Sequence, residues 1–241
     1  VARREPALLS KVSCYDVSEG NFLRQVTRRA LDWGKLDPHE IVVTNSCTEA
    51  ISLCLRAVAR PGDTIAIESA TYFVLLQMIE SLGMKALEIP TDPKTGPSLD
   101  ALELALRAGL VQACLFVPNA NNPLGCVMPE ANKKRLAGLL SEFNIPLVED
   151  DVYGDLCFAP QRPWPVKAYD TSGNVLLCSS FSKAITPASR VGYVLAGRFA
   201  QEVALLKTVS SGATSHFFQA VLADFLEGSS YDQQLRKMRR T

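Results

Sequence analysis

Short apolar runs rich in valine, isoleucine and leucine alternate along the chain with longer stretches whose apolar positions recur at helical spacing. "EIVVT" (40–44) reads as a buried strand, and "SCTEAISLCLRAVARPG" follows it with Ala50, Ile51, Leu53, Cys54 and Val58 on a helical repeat that Pro61 and Gly62 end. "TIAIE" (64–68) predicts the next strand, and "YFVLLQMIESLG" predicts a helix closed by Gly83. "KALEIP", "ACLFVP", "IPLVED", "NVLLCS" and "VGYVLAG" are further short strands, and 129–143 is a further helix. The segment 90–98, "PTDPKTGPS", reads as a loop, and no internal repeat or long linker stands out. Strands that alternate with helices imply right-handed crossovers and a mainly parallel sheet. In such sheets ligands gather beyond the carboxyl ends of the strands.

Composition narrows the setting. With 241 residues, 47% hydrophobic and 21% charged, the chain has enough apolar material for a substantial core. Lys+Arg and Asp+Glu are equal at 25 each, so no overall field favours nucleic acid or an anionic membrane. The basic end "LRKMRR" fits a solvated helical face better than a nucleic-acid patch. Seven cysteines lie without metal spacing, several of them (Cys54, Cys114, Cys157, Cys178) in apolar runs, which suits a reducing, cytoplasmic setting. His39 and His216 have no acidic or cysteine partner at ligand spacing, so no metal site is expected. Trp33, Trp164, Phe217 and Phe218 are expected to pack rather than to cage a ligand. Neither an apolar stretch of membrane-spanning length nor a signal peptide is read. The start at Val1 and the stop at "LRKMRRT" suggest a piece of a longer protein.

Four polar clusters fall just after predicted strands: "TNSCT" (44–48), "NANNPLG" (119–125), "EDDVYGD" (149–155) and "SSFSK" (179–183). Any one alone reads as an ordinary polar loop, and Ser46 alone as an N-cap. Jointly they can do more. Ser46, Cys47 and Thr48 open a helix whose free N–H groups favour a phosphate. Asp150 and Tyr153 place a carboxylate and a phenol after one strand. Lys183 is flanked by Ser180, Ser182 and Arg190, so hydroxyls and a guanidinium can pin a phosphate while the amine reaches a carbon of the same ligand. A phosphate cradle, an acid for a ring nitrogen, a phenol and an amide for a ring hydroxyl, and a Schiff-base lysine are the requirements of pyridoxal 5'-phosphate.

"SFSK" with its downstream arginine, the "DxxY" spacing of Asp150 to Tyr153, and "NPLG" resemble, in their order, the motifs of fold-type I aminotransferases, and from about residue 15 onward the chain resembles their large domain. The resemblance implies a three-layer α/β/α fold around a mainly parallel sheet, with the C-terminal small domain missing. It divides the chain into an N-terminal arm and first helix (1–40) and a cofactor-binding large domain (41–241). It further implies that Lys183 forms the Schiff base, that Asp150 accepts the ring N–H, and that Tyr153 and Asn122 hydrogen-bond the ring oxygen. Ser180 and Arg190 resemble phosphate ligands, Cys47 and Thr48 the helix-end contacts, and Tyr72 the aromatic residue that stacks on the ring. Tyr15 resembles the tyrosine that reaches the cofactor of a second subunit, which implies a homodimer. The sequence departs from the family at Ser46, where a glycine is frequent, and at Pro187-Ala188-Ser189, where Pro-Gly is common.

"VEDDVYGDL", "SSFSKAITPASRVGYV" and "MPEANKKRLAGLL" most closely resemble the aminotransferase-like domain of MocR-type regulators in the GntR superfamily. That resemblance implies an amino-acid or amine ligand, and DNA contact only through a winged-helix domain outside this chain. The alternative is a free-standing aminotransferase of aminoadipate or kynurenine type. A Rossmann oxidoreductase is a remote third reading, because neither GxGxxG nor a P-loop is present.

Overall fold

The computed structural model describes residues 21–31, 33–34, 37–159 and 161–240. In chain order its elements are α1 (Asn21–Ala30), β1 (Ile41–Thr44), α2 (Cys47–Val58), β2 (Thr64–Glu68), α3 (Phe73–Ser81), β3 (Lys85–Ile89), β4 (Thr91–Asp92), β5 (Gly96–Pro97), α4 (Leu99–Arg107), β6 (Ala113–Phe116), α5 (Glu130–Glu142), β7 (Leu147–Asp150), β8 (Val175–Ser180), β9 (Gly192–Leu195), α6 (Ala200–Ser211), α7 (His216–Glu227) and α8 (Ser230–Met238). The predicted strands and the helices after β1, after β2 and over 129–143 all form, trimmed by a residue or a few at their ends. The segment expected to be a loop, 90–98, instead holds the β4–β5 hairpin, pairing Thr91 with Pro97 and Asp92 with Gly96. Asp92 Oδ1 accepts the N–H groups of Lys94 and Thr95 and turns the chain there. Strands of two residues carry no periodicity from which they can be read.

Seven strands form one sheet in the order β1-β9-β8-β7-β6-β2-β3. Strand β9 runs antiparallel to both its neighbours, and the remaining pairs are parallel. The parallel pairs need long crossover connections, whereas β8 and β9 are joined directly by residues 181–191 at the carboxyl end of β8. That short return keeps Lys183 and Arg190 at the same sheet edge.

Alternation along the strands sends successive side chains to opposite layers. Ile65, Ile67, Leu115, Val148, Leu176, Cys178 and Val194 pack with α2, α3 and α6. On the other face Ala66, Cys114, Phe116, Leu147 and Val175 meet α4 and α5. Beside them Ile41, Val43, Leu177 and Leu195 meet α1, α7 and α8. The result is the expected three-layer α/β/α sandwich with both sheet faces covered, which explains why its strands read as continuous apolar runs.

Candidate functional site

The parity of β7 decides where its two terminal acids point. Val148 faces α2, so Asp150 does too, while Glu149 turns to the opposite layer. Asp150 is buried, accepts the Val152 N–H at 3.0 Å, and accepts the Cys47 thiol at 3.4 Å from the first turn of α2. Burial pushes its carboxyl up to about 6 and Asp151 adds to the rise, against the Val152 N–H, the Cys47 thiol and the Lys183 charge. Among the described residues no ion pair reaches this carboxylate, which would gain from a ligand that presents an N–H.

The start of α2 is held by reciprocal capping. Ser46 Oγ accepts the Glu49 N–H at 3.1 Å, and Glu49 Oε2 reaches back to the Asn45 N–H at 2.5 Å. The side chain of Ser46 therefore serves the helix, and a ligand at this end would meet the first-turn N–H groups, which a helix leaves without internal acceptors. Gly192 on β9 makes this approach possible: a Cβ there would stand 2.5 Å from the carbonyl carbon of Ser46 and 2.8 Å from the nitrogen of Cys47.

Residues 181–191 supply the opposite wall. Lys183 is exposed, and its Nζ stands 5.8 Å from the centre of the Tyr153 ring. Thr186 caps a single 3-10 turn, Pro187–Ser189, by accepting the Ala188 N–H. Arg190 then adopts φ 49° and ψ 43°, the left-handed region that costs a non-glycine residue about 1 kcal/mol or more. Arg190, at the end of that turn, lines the cavity.

Ser46, Cys47, Thr48, Tyr72, Asn122, Asp150, Tyr153, Ser180, Lys183 and Arg190 all line one cavity of about 190 Å³. These residues come from the carboxyl-end loops of β1, β2, β6, β7 and β8. Tyr15 lies outside the described residues. Cys47 stands at the helix end, as expected, and its thiol goes to Asp150, because α2 presents its first turn over the end of β7. Tyr72 is 39% exposed at the N-terminus of α3 and packs edge-on against Phe73, so it is not a core aromatic.

Several lining residues carry no polar signal in the sequence. Ile51, Val74, Leu75, Val117 and Val152 form the apolar wall, and only the fold reveals them. Ser182 was legible as part of "SSFSK"; it lines the cavity, and its buried Oγ has no hydrogen-bond partner among the described residues. Phe217 packs on Phe218 and Trp164 on Tyr169, none of the three lines the cavity, and they remain partly exposed, at 37%, 37% and 45% for Phe217, Phe218 and Trp164. Among the described residues no cluster of His, Cys, Asp and Glu is arranged to hold a metal, and no helix is long and apolar enough to cross a membrane.

Known proteins resemble this chain in sequence and in fold. The family profile described as "Aminotransferase class I and II" matches residues 22–241. Two uncharacterized HTH-type transcriptional regulators of Escherichia coli K12 are similar to it: YjiR is 41% identical over 234 residues, covering 96% of this chain and 50% of its own. YdcR is 43% identical over 220 residues, covering 90% and 47%. The crystal structure of Pyrococcus horikoshii kynurenine aminotransferase, solved with PMP, superposes with a TM-score of 0.89 at 26% identity over 99% of this chain and 61% of that one. The chain thus spans about half the length of the curated relatives it matches.

Proposed function

Since this chain belongs to the class I and II aminotransferase family, we propose that its cavity holds pyridoxal 5'-phosphate on Lys183 and that it is the ligand-sensing domain of a MocR/GntR-type transcriptional regulator. The observation that carries the cofactor reading is the convergence of a buried acid, an amine and a hydroxyl and guanidinium group around one cavity from distant parts of the chain. The donor set fits the group. Among the described residues no ion pair reaches Asp150, and the buried Ser182 hydroxyl has no hydrogen-bond partner but would have one in a phosphate oxygen.

In this reading Ser180, Ser182, Arg190 and the first turn of α2 bind the phosphate, and the dipole of α2 adds to their charge. Asp150 keeps a proton on the ring nitrogen, a role that needs the ionised carboxylate. Tyr153 and Asn122 orient the ring through its hydroxyl oxygen, and Tyr72 covers one face. When bound, the cofactor supplies an electron-withdrawing ring conjugated to the nitrogen of an incoming amine. Lys183 holds the cofactor and is the base within reach for a proton on the amine's carbon. The ligand is an amino acid or amine, and the sequence identity of 41–43% to two regulators favours sensing over a free-standing transaminase.

A homodimer is part of the proposal. Leu205 and Val209 on α6 and Phe217 and Phe218 on α7 leave large apolar side chains in solvent, which isolated domains usually avoid. DNA contact belongs to a winged-helix domain outside this chain.

Borohydride reduction followed by peptide mass spectrometry tests the cofactor reading. A pyridoxyl adduct on Lys183 is expected in the parent, with loss of the bound-cofactor absorbance in Lys183→Ala; a parent without an adduct refutes it. For the full-length protein, specific DNA binding that changes with an amino acid or amine is expected. Rapid turnover of amino acids with 2-oxo acids and no DNA binding would instead establish the aminotransferase reading.

A further inference from the structure

The motif "EDDVYGD" sends Asp150 and Tyr153 to the cavity, but Asp151, Gly154 and Asp155 do not line it. Asp151 turns to the other layer, where it is buried beneath Arg162. Its Oδ1 accepts Asn119 Nδ2 at 2.8 Å, and Asn119 in turn accepts Lys133 Nζ of α5 at 2.6 Å. Arg162 bridges the two acids, holding Asp151 with one nitrogen and donating Nε to Asp155 Oδ1 at 2.5 Å. Gly154 is the residue over which this bridge passes: a Cβ there would collide with the Asp151 carboxylate and stand 2.8 Å from Arg162.

The far side of Asp155 receives groups from the two ends of the described chain. Tyr231 of α8 donates its hydroxyl to Asp155 Oδ2 at 2.6 Å and is almost fully buried in doing so. Arg239, just past α8, donates to the Asp155 carbonyl at 2.6 Å. Arg29 of α1 lies 3.6 Å from the same carboxylate and stacks over the Tyr231 ring at 4.1 Å. One acid, two residues from Tyr153, therefore joins α1 and α8 to the segment that forms the cavity wall. A buried ionic cluster of this kind adds little net stability over apolar packing, but it dictates geometry, because each carboxylate oxygen must find its donor.

We propose that Asp155, with Asp151 and Arg162, is a positioning set that holds residues 150–156 with Asp150 and Tyr153 on the cavity and transmits occupancy of that cavity to α1 and α8. The inference rests on the cofactor reading above. Anything that orders Tyr153 also orders Asp155, and the coupling is reciprocal: α1 and α8, when docked on Asp155, tighten the site.

Hydrogen exchange with and without pyridoxal phosphate, read by mass spectrometry, tests it on the parent, Asp155→Asn and Tyr231→Phe. In the parent, cofactor is expected to slow exchange across 21–30 and 230–238 on the order of five-fold or more. Asp155→Asn is expected to need more cofactor to reach the same adduct yield on Lys183 and, at saturating cofactor, to lose that remote protection. Tyr231→Phe removes one hydroxyl without changing packing, folds even where the charge change does not, and is expected to abolish protection in α8. A parent that carries the adduct yet shows no change in α1 and α8 overturns this inference alone, as does Tyr231→Phe with undiminished protection. A parent with no adduct overturns the cofactor reading and this one together.

Discussion

Asp150 is costly to the fold and useful to the site. Its carboxyl is raised to about 6 by burial, so the folded protein favours the protonated form and loses stability as pH rises from the ordinary carboxylate range through about 6. Asp150→Asn is therefore expected to stabilise the ligand-free protein at pH 8 by about 1–3 kcal/mol, measured by urea unfolding, while greatly weakening cofactor uptake. The Cys47 thiol donates to the ionised form. Cys47→Ala should raise the Asp150 carboxyl further and move the acid limb of cofactor binding to higher pH, read from adduct yield against pH. Asp150 could be singled out from its place after an apolar run, but its thiol partner, 103 positions away, could not be.

At the scale of elements, the site depends on how α2 begins and on how close β9 lets it come. Ser46→Ala removes the cap and is expected to cost about 1 kcal/mol of stability. Gly192→Ala is expected to cost about 1–3 kcal/mol, because the added methyl meets the backbone of Ser46 and Cys47 rather than a side chain that can move. It should also weaken phosphate binding, which calorimetry with inorganic phosphate would measure, whereas Ser46→Ala should affect stability more than binding. The helix itself was legible from its apolar spacing. The need for glycine at 192 was not, since Gly192 has no unusual φ and is required only by a neighbour distant in sequence.

For the whole molecule, Glu68, Glu149, Asp150 and Asp151 are buried carboxyls at or just past the carboxyl ends of parallel strands, and burial raises each of them. Glu68 and Glu149 are both raised to about 7 by burial, although Glu68 accepts the Val117 N–H and Glu149 those of Val166 and Lys167. With Asp150 they bind more protons in the folded state than in the unfolded state between about pH 4 and 7, so stability should fall as pH rises through that window. The acids held low, Asp155, Asp170 and Glu49, act at lower pH and do not offset this. Unfolding of the ligand-free protein by urea should show a midpoint lower at pH 8 than at pH 5.5, and a midpoint that rises with pH would contradict it.

The sequence by itself determined the seven strands of the main sheet, the helices after β1 and β2 and over 129–143, and which strand ends carry polar clusters, because hydrophobic periodicity and residue type are local properties. It therefore sufficed to name Lys183, Asp150, Tyr153, Asn122 and Arg190 as candidates. The tertiary structure alone decided that these residues share a cavity, that the Cys47 thiol meets Asp150, that Ser182 Oγ has no partner among the described residues, and that Asp155 meets Arg29 of α1 and Tyr231 of α8. Those outcomes depend on strand order and on the distances between segments far apart in the chain, which no local pattern encodes.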